Sequence, residues 1–226
     1  MTRLVTVAHG TRTAEGNVIA AALTRAAGVR LGLPAVASYV ELCEPLLADV
    51  LRGGAEEETA VVPLLLSTGY HVRVDLPAAV EQAAGPVTLA GPLGPDTLLA
   101  AAQADRLRRA GAEPGRPVVM VAAGSRDPAA TDDLWAAADL LTGLWGAPVR
   151  VATLAGLGPD VLDVVRPGDA VAPYLLAPGF FATRARRLAL SAGAEVVAEV
   201  LGPHPSVVEL VAERARQLLP VDAVRT

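Results

Sequence analysis

Two imidazoles and one carboxylate follow three apolar segments in the first half of the chain. His9 comes directly after LVTVA, Glu41 after VASYV, and His71 after AVVPLLL and the turn STGY. Two histidine nitrogens and one carboxylate oxygen form a ligand set that suits a borderline divalent transition metal and leaves coordination positions open for exchange. A neutral imidazole can also accept a proton. These residue types therefore predict a metal site in which proton transfer can also occur.

The segments before these residues have the pattern of strands in a parallel sheet. Short runs rich in Val and Leu alternate with Ala-rich stretches of helical character, which is typical of βαβ units. Continuously apolar strands indicate a sheet covered by helices on both faces, and ligands bind beyond the carboxyl ends of such strands. Because those ends converge, we predict an α/β fold in which the three side chains lie together.

The second half of the chain repeats the first. VVMVAAGSR at 118–126 corresponds to LVTVAHGTR at 4–12, and later segments correspond at nearly the same offset. We therefore predict a tandem duplication with lobes at 1–112 and 117–226, joined near GAEPGRP. Each lobe should contain a parallel sheet of about four strands flanked by helices.

The repeat acts as an internal control for the three candidate ligands. The aligned residues are Ala123 for His9, Ala155 for Glu41 and Phe181 for His71. Residues with separate structural roles would survive independently, as Gly10 does at Gly124. Joint loss favours one shared task in the first lobe. The alternative is that the histidines cap strand-to-helix turns and that Glu41 pairs with a nearby arginine.

Composition argues against several classes of partner. The net charge is −5 and only 3% of the 226 residues are aromatic, whereas nucleic-acid binding requires clustered positive charge and often stacking surfaces. No apolar run approaches the roughly 18 to 20 residues of a membrane span. MTRLVTVAHG lacks the features of a signal peptide, and Cys43 has no second cysteine to pair with. We therefore predict a cytoplasmic protein with neither a nucleic-acid nor a membrane partner.

Four segments of the chain resemble the sirohydrochlorin chelatases of siroheme and cobalamin biosynthesis, a branch of the class II chelatases. They are VAHGTR at 7–12, YVELCEP at 39–45, VVPLLLSTGYHVRVDLP at 61–77 and LGPHPSVVELVAERAR from Leu201. The resemblance implies two tandem chelatase-like lobes, similar to the long bacterial form of the family. In that form a second, degenerate lobe completes the cleft. A monomer is favoured, because one chain then holds the pairing that a single-lobe relative needs two subunits to make.

The resemblance also implies a reaction and its site. The divalent metal, Fe2+ or Co2+, is a substrate that is inserted into a sirohydrochlorin-type tetrapyrrole, and no organic cofactor is expected. By motif, His9, Glu41 and His71 are the metal ligands and the catalytic residues. At least one histidine is expected to accept a pyrrole proton as well, while Glu41 stabilises charge. The alternative function is a non-catalytic tetrapyrrole- or metal-carrying protein, and a third possibility is a substrate-binding domain whose histidines only cap turns.

The substrate predicts a further set of contacts. Sirohydrochlorin carries eight carboxylates, which guanidinium groups and backbone N–H groups recognise. The predicted substrate-binding residues are Gly10, Arg12, Arg73, Arg126, Phe181 and Arg184. A solvated surface side chain is the alternative for each arginine taken singly.

Overall fold

The computed structural model describes residues 2–11, 14–54 and 57–219, so that Arg12 lies outside the described residues. Two four-stranded sheets are present, and every strand pair in them is parallel. Helices flank both sheets, which confirms the predicted α/β class with two tandem lobes. No helix in the described part of the chain is both long and apolar enough to cross a membrane.

The first sheet has the strand order β2-β1-β3-β4. The elements of the first repeat are β1 (Thr2–Ala8), α1 (Ala14–Leu31), β2 (Ala35–Tyr39), α2 (Leu47–Arg52), β3 (Glu58–Pro63), a π-helical turn (His71–Asp75), α3 (Leu76–Glu81), β4 (Val87–Leu89) and α4 (Thr97–Arg109). β1 lies between β2 and β3, with Ala8 opposite Tyr39 and Val7 opposite Pro63. The chain therefore leaves these three strands at the same edge of the sheet.

The second sheet has the equivalent order β6-β5-β7-β8. The elements of the second repeat are β5 (Val118–Ala122), α5 (Pro128–Trp145), β6 (Val149–Thr153), α6 (Val161–Val164), β7 (Ala170–Tyr174), α7 (Phe180–Ser191), β8 (Val196–Val197) and α8 (Pro205–Arg216). All five residues of β5 and all five of β7 are buried, as expected for central strands covered on both faces.

The two compact units of the structure do not coincide with the two sequence repeats. They differ in the placement of α4 and α8, the closing helices, which end the first and the second repeat. One unit contains the residues up to Leu93 together with those from Val207 onward, and the other is Gly94–Ser206. Helix α4 thus packs with the second sheet, where Leu107 joins a buried cluster that includes Val118 and Leu141. The boundaries 1–112 and 117–226 describe the repeats in sequence and remain a prediction. In space, each repeat contributes its last helix to the other unit.

Helix α8 is held in the first unit by apolar and charged contacts. Val207 and Leu210 are fully buried, Arg214 donates to the carbonyl of Leu93 at 3.3 Å, and Glu209 pairs with Arg30 of α1. A hydrogen bond from Arg216 at 3.0 Å also reaches Glu209. This hydrogen bond is the main reason that the pKa of the Glu209 carboxyl lies below its ordinary value, with Arg30 adding to the effect.

We expect Glu209→Gln to lower the free energy of unfolding by up to about 1 kcal/mol at neutral pH, because Arg30 and Arg216 lose the carboxylate with which they pair. A lowered folded-state pKa gives stability that is present above the unfolded pKa and lost as pH falls through the folded pKa. The difference between wild type and variant should therefore shrink in acid. Urea unfolding at several pH values measures it. Glu213→Gln on the same helix is the matched control, and an equal, pH-independent loss in both variants would contradict the assignment.

Candidate metal centre

The first two predicted ligands, His9 and Glu41, are placed by a close backbone contact after β1 and β2. Gly10 has φ +94°, and a Cβ on it would collide with the carbonyl oxygen of Glu41. The two segments continue side by side beyond the sheet, since Val40 donates to the carbonyl of Ala8 at 2.9 Å and Glu41 donates to that of His9 at 3.2 Å. Glycine is needed here both for its positive φ and for its missing side chain. The result is that His9 and Glu41 leave the backbone next to each other.

The third predicted ligand, His71, is placed by a π-helical turn after β3. His71 begins this turn, and the backbone N–H of Leu76 closes it on the carbonyl of His71. Turns of this kind are rare and occur frequently at functional sites. Because β3 pairs with β1, the turn begins at the same edge of the sheet as His9. The alternation of strands and helices in the sequence indicates a helix after β3, but it does not indicate the π-helical start.

One donor atom from each of the three side chains lies within 4.8 Å of the other two. Nε2 of His9 is 3.2 Å from Nε2 of His71 and 3.6 Å from Oε1 of Glu41. Donors that surround one ion at roughly 2.1 Å lie roughly 3 to 3.5 Å apart, so the two distances from Nε2 of His9 are close to those of donors that share a cation. Among the described residues, these three form the one group of three or more His, Cys, Asp or Glu side chains close enough to hold an ion.

The site is open to solvent. The side chains of His9 and Glu41 are 48% and 52% exposed, and that of His71 is 29% exposed. The two imidazole rings meet edge to face, with centroids 4.7 Å apart and planes at 89°. The Nε2 atoms of the two rings therefore face each other. A cation held by these atoms and by Glu41 would have three protein donors and coordination positions left for another ligand.

Asp75 contacts a predicted ligand and was not among the candidate residues of the sequence analysis. Its Oδ2 is 2.6 Å from Nδ1 of His71, on the ring side opposite the nitrogen that faces His9. The available signal was an acidic residue four positions after a candidate ligand, a spacing that brings two side chains together on a helix. That spacing is common on helix surfaces, so it does not by itself distinguish Asp75 from other acidic residues.

The predicted substrate contacts lie at the strand ends of both sheets. Arg73 is exposed in the π-helical turn, and Arg126 is exposed after β5. Phe181 and Arg184 lie near the start of α7. Phe181 is 40% exposed, and the centroid of its ring is 5.4 Å from that of Phe180. Their binding of a substrate remains a prediction. Gly10 has the backbone role described above, and its contact with a substrate is likewise a prediction.

The second unit keeps the backbone contact at the ends of its first two strands without the predicted ligands. Gly124 has φ +87°, and a Cβ on it would collide with the carbonyl oxygen of Ala155. Leu154 donates to the carbonyl of Ala122 at 3.0 Å, as Val40 does to its partner in the first unit. Residues with short apolar side chains, Ala123 and Ala155, follow these strands. The strand-end geometry is therefore independent of metal-binding side chains.

Fold and site together define a duplicated α/β protein in which the first repeat has an open site with two histidines and one glutamate. The CbiX family model matches residues 3–110 and again residues 117–218. The chain belongs to the CbiX family, which confirms the resemblance found in the sequence.

Curated relatives cover nearly the whole chain. The sirohydrochlorin ferrochelatase of Priestia megaterium is 26% identical over 97% of this chain and 91% of its own length. The sirohydrochlorin ferrochelatase of Bacillus subtilis (strain 168) is 28% identical over 93% of this chain and 89% of its own length.

Solved structures show the same overall similarity. SirB from Bacillus subtilis with Fe3+ has a TM-score of 0.81 and 25% identity, covering 96% of this chain and 95% of that one. The sirohydrochlorin chelatase SirB from Bacillus subtilis subspecies spizizenii, in complex with cobalt, has a TM-score of 0.80 and 25% identity, covering 96% and 94%.

We expect Gly10→Ala to weaken both folding and cobalt(II) binding, because its Cβ must displace the backbone that carries Glu41. Gly32→Ala is the matched control, since Gly32 also has a positive φ of +68° but has no atom near the position of the added Cβ. The control should lose about 1 to 2 kcal/mol of stability from backbone strain alone. Urea unfolding and cobalt titration compare the two variants. Equal stability losses with unchanged cobalt affinity would show that the contact does not place the ligands.

Proposed function

We propose that this protein inserts a divalent metal, iron(II) or cobalt(II), into a sirohydrochlorin-type tetrapyrrole. The observation that carries the proposal is the convergence of His9, Glu41 and His71 on one point at an open edge of the first sheet. The names of the curated relatives support the substrate. Related structures with Fe3+ and with cobalt support the class of metal. The metal is a substrate, and no organic cofactor is needed.

The chemistry requires a weakly held cation and the removal of two protons. A macrocycle that receives a divalent ion gives up two pyrrole protons, so that the charge on its core is unchanged. His9 and His71 bind the ion through Nε2, and at least one of these imidazoles accepts a pyrrole proton once the ion has left it. The other pyrrole proton passes to the second imidazole or to solvent water at this open site. Glu41 is the third ligand, and its carboxylate offsets the positive charge that builds up at the site. Half-exposed ligands allow the ion to exchange into the macrocycle.

Binding of the macrocycle uses the carboxylates at its rim. Guanidinium groups form strong paired hydrogen bonds with carboxylates, and they are the best protein donors for this purpose. Arg73, Arg126 and Arg184 are the arginines proposed for this role, together with Arg12. Phe181 offers an exposed aromatic face that can pack against the apolar surface of the ring.

The reaction is proposed to occur in the cytoplasm, with the protein acting as a monomer. Tetrapyrrole synthesis by the curated relatives supports the location. The presence of two equivalent sheets in one chain supports the monomer. Sedimentation of the purified protein measures its oligomeric state.

We expect His9→Ala, Glu41→Ala and His71→Ala each to lower the rate of metal insertion strongly. Loss of a residue that only contacts a metal ligand already costs about 10- to 100-fold, and loss of a ligand should cost at least as much. Because the ligands act on one ion, losses on combining the substitutions should be far from additive. The assay is anaerobic incubation with sirohydrochlorin and iron(II) or cobalt(II), followed by absorbance. Glu44→Gln, which removes a nearby exposed carboxylate, is the control.

Catalysis in this assay has a clear signature. Product must accumulate well beyond one equivalent of protein under excess metal and substrate. Stoichiometric binding without turnover would identify a carrier instead. A triple variant that retains ordinary turnover would remove the proposed site altogether.

We expect Phe181→Ala and Arg126→Ala to raise the KM for sirohydrochlorin between about three- and tenfold, with kcat and cobalt affinity nearly unchanged. Contacts that hold substrate and transition state equally well contribute to KM alone. Steady-state kinetics and cobalt titration measure the two effects separately. Arg187→Ala, which removes another exposed guanidinium of α7, is the control. If these two variants bound cobalt more weakly and kept the KM of wild type, the second repeat would bind the metal, and the proposed roles of the two repeats would be wrong.

A further inference from the structure

Asp75 contacts a proposed ligand without being one of the three. Its Oδ2 and Nδ1 of His71 are 2.6 Å apart, which is the short distance expected for a charge-assisted hydrogen bond. An ionised carboxylate only accepts hydrogen bonds, so the hydrogen lies on Nδ1 of His71. The lone pair of Nε2 then points to the position shared with His9, whose Nε2 is 3.2 Å away.

Helix capping does not account for Asp75. The residue directly precedes α3, where an aspartate often accepts from the first backbone N–H groups. Within the described residues its side chain makes no capping hydrogen bond to α3, and its backbone is helical, with φ −71° and ψ −42°. The carboxylate instead turns back across the π-helical turn towards His71. Its place in the fold is therefore explained by the imidazole and not by the helix that follows.

The second repeat gives an independent observation on the same residue. In the alignment of PYLLAPGFFAT with PLLLSTGYHVR, Phe181 replaces His71, and two positions beyond the end of that segment Ala185 replaces Asp75. Ala185 is fully buried in an apolar cluster, and the turn that carries it is ordinary α-helix. The carboxylate and the π-helical turn are thus absent from the repeat that has lost the imidazole. Asp75 changes together with the ligands, as a fourth member of their set.

We infer that Asp75 is a positioning residue of the metal site, which holds His71 in the Nδ1–H tautomer with Nε2 facing the ion. The inference rests on the proposed metal site. When a carboxylate accepts a hydrogen bond from one nitrogen of a metal-binding histidine, it fixes the tautomer and the orientation of the ring. It also makes the other nitrogen more basic and therefore a stronger metal ligand. The π-helical turn supplies the geometry, because it brings the first and last residues of HVRVD within hydrogen-bond distance.

Asp75→Asn tests the inference with the smallest change of shape. Its amide can turn an N–H towards Nδ1 and so favour the wrong tautomer of His71. We expect the dissociation constant for cobalt(II), measured from the visible absorption of the bound ion, to rise about 10- to 100-fold. Asp75→Glu should recover part of the affinity, because a carboxylate is restored. Glu81→Gln, an exposed carboxylate of the adjacent helix, is the control and should bind cobalt like wild type.

Side-chain 15N NMR of the metal-free wild type gives a second readout that needs no folded Asp75 variant. The chain has three histidines. Nδ1 of His204 accepts from the N–H of Ser206 at 3.2 Å, so His204 carries its hydrogen on Nε2. With Nε2 of His71 as the acceptor, His9 donates from its own Nε2. His71 should therefore give the one Nδ1–H signal, and His71→Gln should remove it.

Each outcome supports or overturns the inference. An Nε2–H tautomer for His71 in wild type overturns it, as does unchanged cobalt affinity in a folded Asp75→Asn variant. Loss of affinity in His71→Ala but not in Asp75→Asn would overturn the role of Asp75 and leave the metal site in place. Failure of wild type to bind cobalt would remove the proposed site and this inference together. A stability loss in Asp75→Asn without a change in affinity would identify a purely structural residue.

Discussion

The close approach of two backbone segments at Gly10 and the Glu41 carbonyl is the constraint on which the site depends. A side chain at Gly10 would separate the segments, and the pairing that continues beyond β1 and β2 would end with the sheet. The same approach recurs at Gly124 and the Ala155 carbonyl, where alanines replace the predicted ligands His9 and Glu41. The contact is therefore a property of the α/β scaffold itself. The predicted ligands His9 and Glu41 are present on this scaffold in one repeat and replaced by Ala123 and Ala155 in the other, while the backbone contact itself is the same in both.

Much of this arrangement follows from the sequence because it depends on local chain direction. Apolar runs alternating with helices predict parallel strands, and the shared edge of parallel strands predicts that His9 and Glu41 meet. The place of His71 depends in addition on the π-helical turn. Each hydrogen bond in this turn spans five residues instead of the four of an α-helix. This change leaves the apolar pattern of the sequence almost intact. The orientation of Asp75 towards His71 depends on that turn and could not be predicted without it.

The exchange of the closing helices was beyond sequence reasoning for a different reason. Helices α4 and α8 end equivalent repeats, and each has an apolar face suited to a parallel sheet. Such a face does not specify which of two similar sheets it covers. The choice is made by particular tertiary contacts, such as Arg214 with the Leu93 carbonyl and His204 with Asp105 at 3.0 Å. These contacts join residues that are about a hundred positions apart, and periodicity carries no information about them.

The exchange of α4 and α8 between the repeats is the arrangement expected when two copies of a single-repeat chain are fused. A polypeptide containing only one repeat would leave its own sheet without a closing helix while carrying a helix that fits another copy. Two such polypeptides would complete each other by domain swapping and form an obligate dimer. Fusing the copies end to end turns this association into an intramolecular step at high effective concentration. One copy is then free to lose the predicted metal-binding side chains, because assembly no longer requires the two halves to be identical.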